Sequence, residues 1–293
     1  MRALFVDDEQ SVLDGLRRSL HRHCKDWELS FAASGEEAIE MMAVEPAPDV
    51  LVSDMRMPGM DGAQLLQTTQ ERWPGVIRFL LSGHSDSEAI MRATLVAHQF
   101  LSKPCDGQQL RDTIERASAL HQLVEDPDVR RAIGEVGKLP PVPETYQKLT
   151  KALALEDVSL EIVGNIVALD PVIAAKLLQL VNSAFFGLSR SVSDVKDAVG
   201  FLGLDVVRDL VLTLGAFARE DVPDSVRPAL ASIASRSQAV AAVAREIAPA
   251  EHQQSAYAAG LLIDVGHVVI AAGMPESFAK ISAACSGATH ARE

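Results

Sequence analysis

Short apolar runs alternate with amphipathic segments through the first 120 residues. Ala3–Val6, Val50–Ser53, Ile77–Leu81 and Gln99–Leu101 are such runs, and Leu29–Ala32 is a weaker one. Between them Val12, Leu13, Leu16 and Leu20 recur at helical spacing, as do Ala38, Ile39 and Met42, and later Ile90, Ala93 and Ala97. Continuous apolar runs suit strands buried on both faces, and strands separated by helices require right-handed crossovers into a parallel sheet. The pattern predicts a doubly wound α/β domain of five parallel strands over residues 1–120.

Beyond it the period is helical. Tyr146, Leu149 and Leu153 are followed by Ile162, Ile166 and Leu169, then by Ile173, Leu177, Leu180 and Val181. Segments Val206–Leu214, Ser235–Ala248 and Tyr257–Val265 continue the pattern. Asp126-Pro127 and Asp170-Pro171 each read as an N-cap followed by proline at the first helical position. Residues 121–138 are thus expected to be a helical linker, and 139–293 an all-α output domain.

A chain of 293 residues can build two cores. Its 27 basic and 40 acidic residues give a net charge of -13, and both sides of Leu120 are acidic. Neither half carries the broad positive field that nucleic acids or anionic membranes exploit, although a small basic patch is compatible with the total. Cys24, Cys105 and Cys285 are far apart and form no CxxC pair, which suits a reducing compartment. The N-terminus lacks a signal-peptide layout, and no uninterrupted apolar run approaches the roughly 20 residues of a membrane span. The expectation is a cytoplasmic protein that binds neither nucleic acid nor membrane.

Ligands of such sheets bind beyond the carboxyl ends of the strands. There the first strand ends in Asp7-Asp8-Glu9, the third in Asp54, the fourth in Ser82-Gly83 and the fifth in Ser102-Lys103-Pro104. Converging carboxylates repel one another and need a cation, and all-oxygen donors favour Mg²⁺. A metal, a lysine and a small hydroxyl are what in-line phosphoryl transfer to a carboxylate requires.

Val6-Asp-Asp-Glu9, Val52-Ser-Asp-Met-Arg-Met-Pro-Gly-Met-Asp-Gly62, Leu81-Ser-Gly83 and Phe100-Leu-Ser-Lys-Pro104 together resemble the motif set of flavodoxin-like receiver domains of two-component response regulators. The resemblance implies that Asp54 is the phosphoacceptor. It also implies that Asp7 and Asp8 hold Mg²⁺, with Asp8 the direct ligand and Asp7 acting through water. On that resemblance Asp54 and the backbone carbonyl of Arg56 would complete the metal site. By the same resemblance Ser82 matches the switch hydroxyl, Lys103 the phosphoryl-binding lysine, and Phe100 the aromatic switch position. A sensor histidine kinase is the implied phosphodonor, and a homodimer through the receiver face or the linker is an implied assembly.

The second half resembles the HDOD domain, a non-catalytic relative of HD phosphohydrolases. The likeness rests on Leu139-Pro-Pro-Val-Pro143, Asp170-Pro171, Leu180-Val-Asn-Ser-Ala-Phe-Phe-Gly187, Ala198-Val-Gly-Phe-Leu-Gly203 and Gly260-Leu-Leu-Ile-Asp-Val-Gly266. Where catalytic relatives carry metal-binding histidines, this chain has Arg236 and Ile263, and Asp264 survives alone. No metal is therefore expected in this domain. The family pattern ordinarily continues beyond the residues matched, so a truncated C-terminus is expected. Asp197–Leu212 has the outline of a helix–turn–helix with Gly203 in the turn, but its second helix offers one Arg between two Asp, too few donors for reading DNA. The reading is a non-enzymatic phosphorelay switch whose output domain contacts a downstream signalling protein. The alternatives are an HD-type cyclic-dinucleotide phosphodiesterase and a DNA-binding regulator.

Overall fold

The computed structural model describes residues 1–290 apart from 45, 83–92, 95, 104, 125, 135–140, 142, 156, 184–185, 187, 189–190 and 219–225. Gly83, Ile90, Pro104 and much of the 139–143 and 184–187 motifs lie outside the described residues, as does the side chain of Ser82. The chain divides into two compact units. One is built mainly on Met1–Gly137, the other mainly on Lys138–Asn182 and Arg190–Glu293.

In the first unit β1 (Arg2–Val6), β2 (Glu28–Ala32), β3 (Val50–Asp54), β4 (Ile77–Ser82) and β5 (Gln99–Ser102) form one sheet. Its order is β2-β1-β3-β4-β5, with every pairing parallel. Successive side chains of a strand point to opposite faces. Phe5, Val50, Val52, Ile77, Phe79 and Leu81 therefore share a core with Leu20 of α1 (Gln10–His23) and with Leu110 and Ile114 of the helix that follows β5. Helix α2 (Gly35–Met42) is capped by Ser34, whose hydroxyl accepts from Glu37 N–H. Helix α3 (Gly62–Arg72) opens on a reciprocal capping box between Asp61 and Gln64. The helix after β5, α4, runs Gly107–Gln122, and α5 covers Pro127–Gly134. Asp126 caps α5, its carboxylate accepting from the backbone N–H of Asp128 and Val129.

All regular elements described in the second unit are helical. They are α6 (Pro143–Leu153), α7 (Leu160–Val167), α8 (Pro171–Val181), α9 (Val195–Ala218) and α10 (Arg227–Ile247), then α11 (Gln253–Leu262), α12 (Val265–Gly273) and α13 (Pro275–His290). Asp170, fully buried, caps α8 through Val172 and Ile173 N–H. Gly203 breaks α9 with φ 79° and ψ 165°, a backbone conformation that costs glycine little. The helical spacing of Tyr257–Val265 is divided between two helices, α11 stopping at Leu262 and α12 starting at Val265. By composition Ala250–Gly273 is long and apolar enough to cross a bilayer, with mean hydropathy 1.6. It is a short 3-10 turn and two helices, interrupted at Ile263-Asp264.

Helices α10 and α11 cross closely because Gly260 faces Ala241. A Cβ on Gly260 would lie 2.7 Å from the Ala241 Cα. Gly260→Ala is therefore expected to push the two backbones apart and destabilise the unit by about 1–3 kcal/mol. Urea denaturation of the full chain reads this out, and wild-type stability in the variant would contradict the close crossing.

Candidate functional site

Three strands bring the predicted acidic edge together. Asp7 follows β1 directly, and its side chain is fully buried. Its Oδ1 accepts from Glu9 N–H at 3.0 Å and its Oδ2 from the Lys103 ammonium at 2.6 Å. Asp54 ends β3 and is 7% exposed. Its Oδ2 accepts from Arg56 N–H at 2.7 Å, while Oδ1 is ion-paired with Lys103. One ammonium thus bridges two buried carboxylates. Burial pulls the Lys103 pKa down, but its hydrogen bonds and charge contacts with Asp54 and Asp7 outweigh this and leave it raised. The lysine is held as a cation at neutral pH.

The loop that carries Asp54 onward is closed tightly. Met55 N–H donates to Leu81 O at 3.0 Å, and Gly62 N–H returns to Met55 O at 2.9 Å. Gly59 supplies the left-handed turn between them, with φ 79°.

Asp8, next to Asp7, is exposed. Among the described residues no three His, Cys, Asp or Glu side chains converge closely enough to hold a metal. The structure thus brings together Asp7, Asp54 and Lys103 but does not add Asp8 to the group. The donor chemistry still fits a hard cation, because two buried carboxylates already share one positive charge and a third carboxylate is adjacent in sequence. Ser82 closes β4 at the same edge of the sheet. Phe100 lies on β5 opposite Leu80 and is 6% exposed, so the ring is turned into the protein.

In the second unit Arg236 on α10 reaches Asp264, which precedes α12. The guanidinium makes a two-pronged bond to the carboxylate, Nε to Oδ2 and Nη2 to Oδ1, each 2.7 Å. Asp264 is buried, and His267 Nδ1 stands 3.3 Å from its Oδ1. Ile263 beside it is 62% exposed. Both oxygens of the single surviving acidic residue are therefore occupied by arginine. Arg208, the one basic residue in the helix after Gly203, is likewise engaged, by Leu153 O and Asp205.

A family model of the HDOD domain matches residues 139–293, and one of the response regulator receiver domain matches residues 3–115. The chain belongs to the HDOD family. This HDOD protein carries its receiver domain at the N-terminal side, the arrangement of a response regulator. It is 34% identical over 125 residues to the hydrogenase transcriptional regulatory protein HoxA of Cupriavidus necator, covering 42% of this chain and 25% of that protein. It is 36% identical over 126 residues to the DNA-binding transcriptional regulator NtrC of Escherichia coli K12, covering 42% of this chain and 26% of that protein. The chain spans about a quarter of the length of these curated relatives. Among solved structures it is similar to the signal receiver domain of an HD domain-containing protein from Pseudomonas fluorescens Pf-5. There the identity is 28% and the TM-score 0.39, covering 42% of this chain and 98% of that one.

One residue of the first unit stands outside the apolar pattern. Arg78 interrupts the apolar run of β4, yet it is 1% exposed. A charge inside a strand that is otherwise buried was the available signal.

Proposed function

We propose that this HDOD protein is a phosphorelay switch in which Asp54 accepts a phosphoryl group from a sensor histidine kinase. The observation that carries the reading is the Lys103 ammonium shared by the buried carboxylates of Asp7 and Asp54. Arg56 N–H fixes Oδ2 of Asp54 and so orients the carboxylate for attack. A carboxylate oxygen forms the new bond to phosphorus as the phosphorus–nitrogen bond of the donor's phosphohistidine breaks, and the imidazole leaves with the bonding pair. Lys103 then exchanges its contact with Asp54 for one with a phosphoryl oxygen, and Ser82 offers its hydroxyl to another. Asp7, Asp8, Asp54 and the carbonyl of Arg56 would hold Mg²⁺. The bound ion would supply neutralisation of the phosphoryl oxygens.

The added charge, about -1.5 to -2, rearranges Ser82, Lys103 and Phe100, and the HDOD domain changes its contact with a downstream signalling protein. That domain works by binding, since Asp264 is held by Arg236 rather than left to a metal. The setting we assign is the cytoplasm.

Intact mass after incubation with acetyl phosphate and Mg²⁺ tests the acceptor. Wild type is expected to gain one phosphoryl group (about 80 Da by composition, the group that brings up to two charges), and Asp54→Asn to gain none. Equal uptake by both proteins would remove Asp54 from the role.

A further inference from the structure

Arg78 is fully buried near the start of β4, at the other end of the strand from Ser82. Its side chain shares a sheet face with Leu80, and so with Phe100, which Leu80 pairs across β4–β5, because residues two apart on a strand point the same way. The guanidinium gathers carbonyls from two separate segments. Nε donates to Val96 O at 2.7 Å, at the end of the helical turn closed by Val96 and Ala97 N–H on Ala93 O. Nη1 donates to Val76 O at 3.0 Å and Pro74 O at 3.3 Å, in the connection from α3 to β4. Nη2 stands 3.4 Å from His98 Nε2. The main chain adds to the same knot, with Arg78 N–H on His98 Nδ1 at 3.0 Å and His98 N–H on Arg78 O at 2.8 Å.

Burial lowers the Arg78 pKa to about 10, which still leaves it charged at neutral pH. A charge retained at full burial is costly, and an apolar side chain of similar volume would often be neutral or better for stability. The arrangement ties the residues that lead into β5 to the start of β4, two residues before Phe100.

We propose that Arg78 is the fixed point of the switch. It pins the entry to β5 and the turn before it to the base of β4. A change at Asp54 then moves the Phe100 end of β5 against a stationary base instead of fraying the whole strand. The proposal rests on Asp54 being the phosphoacceptor, and Arg78 acts as a positioning residue without touching the phosphoryl group.

Hydrogen exchange of peptides covering residues 96–102, with and without acetyl phosphate and Mg²⁺, tests it in the full chain. Phosphoryl uptake is followed by intact mass in the same samples. Arg78→Met keeps much of the volume and removes every donor; Arg78→Lys keeps the charge but reaches fewer carbonyls, and it serves where the Met variant does not fold. Both variants are expected to take up phosphoryl like wild type. Exchange at 96–98 is expected to rise about tenfold or more in Arg78→Met and less in Arg78→Lys. The phosphorylation-dependent difference at 99–102 seen in wild type should be lost in Arg78→Met. A purely structural arginine would raise exchange equally in both states and leave that difference intact, which would overturn the proposal. Absence of uptake in wild type itself would instead strike the phosphoacceptor reading.

Discussion

Gly62→Ala is expected to destabilise the receiver unit by about 3 kcal/mol, the upper end for an over-packed core site, and to abolish phosphoryl uptake at Asp54. A Cβ at position 62 would lie 2.1 Å from the backbone oxygen of Asp54 and 2.9 Å from Leu80 Cδ1. The far end of a side chain could rotate away, but the Asp54 carbonyl is tied to β3 and accepts the Ser53 hydroxyl at 2.8 Å. Relief must come from moving α3 off the sheet or moving Asp54 itself. The first breaks the Gly62 N–H bond to Met55 O that closes the loop. The second displaces the carboxylate from Lys103 and from Arg56 N–H. Urea unfolding of the full chain, together with intact mass after acetyl phosphate, reads both consequences. A variant with wild-type stability and uptake would mean that α3 does not approach β3 as closely as described.

Arg236→Ala carries the second large effect. It strips both prongs from a buried carboxylate, and losing the partner of a buried charge costs more than the intact pair contributes. Asp264 has a side chain only 9% exposed, but that of Arg236 is 57% exposed. The cost should therefore fall below that of a fully enclosed pair, at about 1–3 kcal/mol. Replacing both residues by apolar ones, Arg236→Met with Asp264→Leu, is expected to cost less than Arg236→Ala alone, because no charge is then left behind. A double-mutant cycle on urea midpoints measures the coupling. If Arg236→Ala is neutral and the coupling vanishes, the two-pronged pair contributes nothing to holding α10 to the start of α12.

Much of this was legible along the chain. The strand runs at Ala3, Val50 and Ile77 show themselves because a strand buried on both faces must be apolar at consecutive positions. Asp126 and Asp170 could be read as caps because proline after a short acidic residue satisfies a helix start locally. Helix ends without such signals were harder. Nothing in the apolar spacing of Tyr257–Val265 marks the break at Ile263-Asp264, since Asp264 leaves the helix to meet Arg236, 28 residues earlier. Arg78 was hidden for a related reason. Its carbonyl partners lie in segments on either side of β4 and as far away as Val96.

The sequence by itself determined the two-part architecture, the parallel order of strands and helices, and the identity of the acidic residues at the strand ends. Those follow from periodicity and local hydrogen bonding, which act within a few residues of chain. Only the tertiary structure decided that Lys103 joins Asp7 to Asp54, that Arg236 takes both oxygens of Asp264, and that Arg78 is buried among carbonyls. A charged side chain's partner is fixed by which distant segments packing brings within about 3 Å of it, and no local pattern encodes that distance.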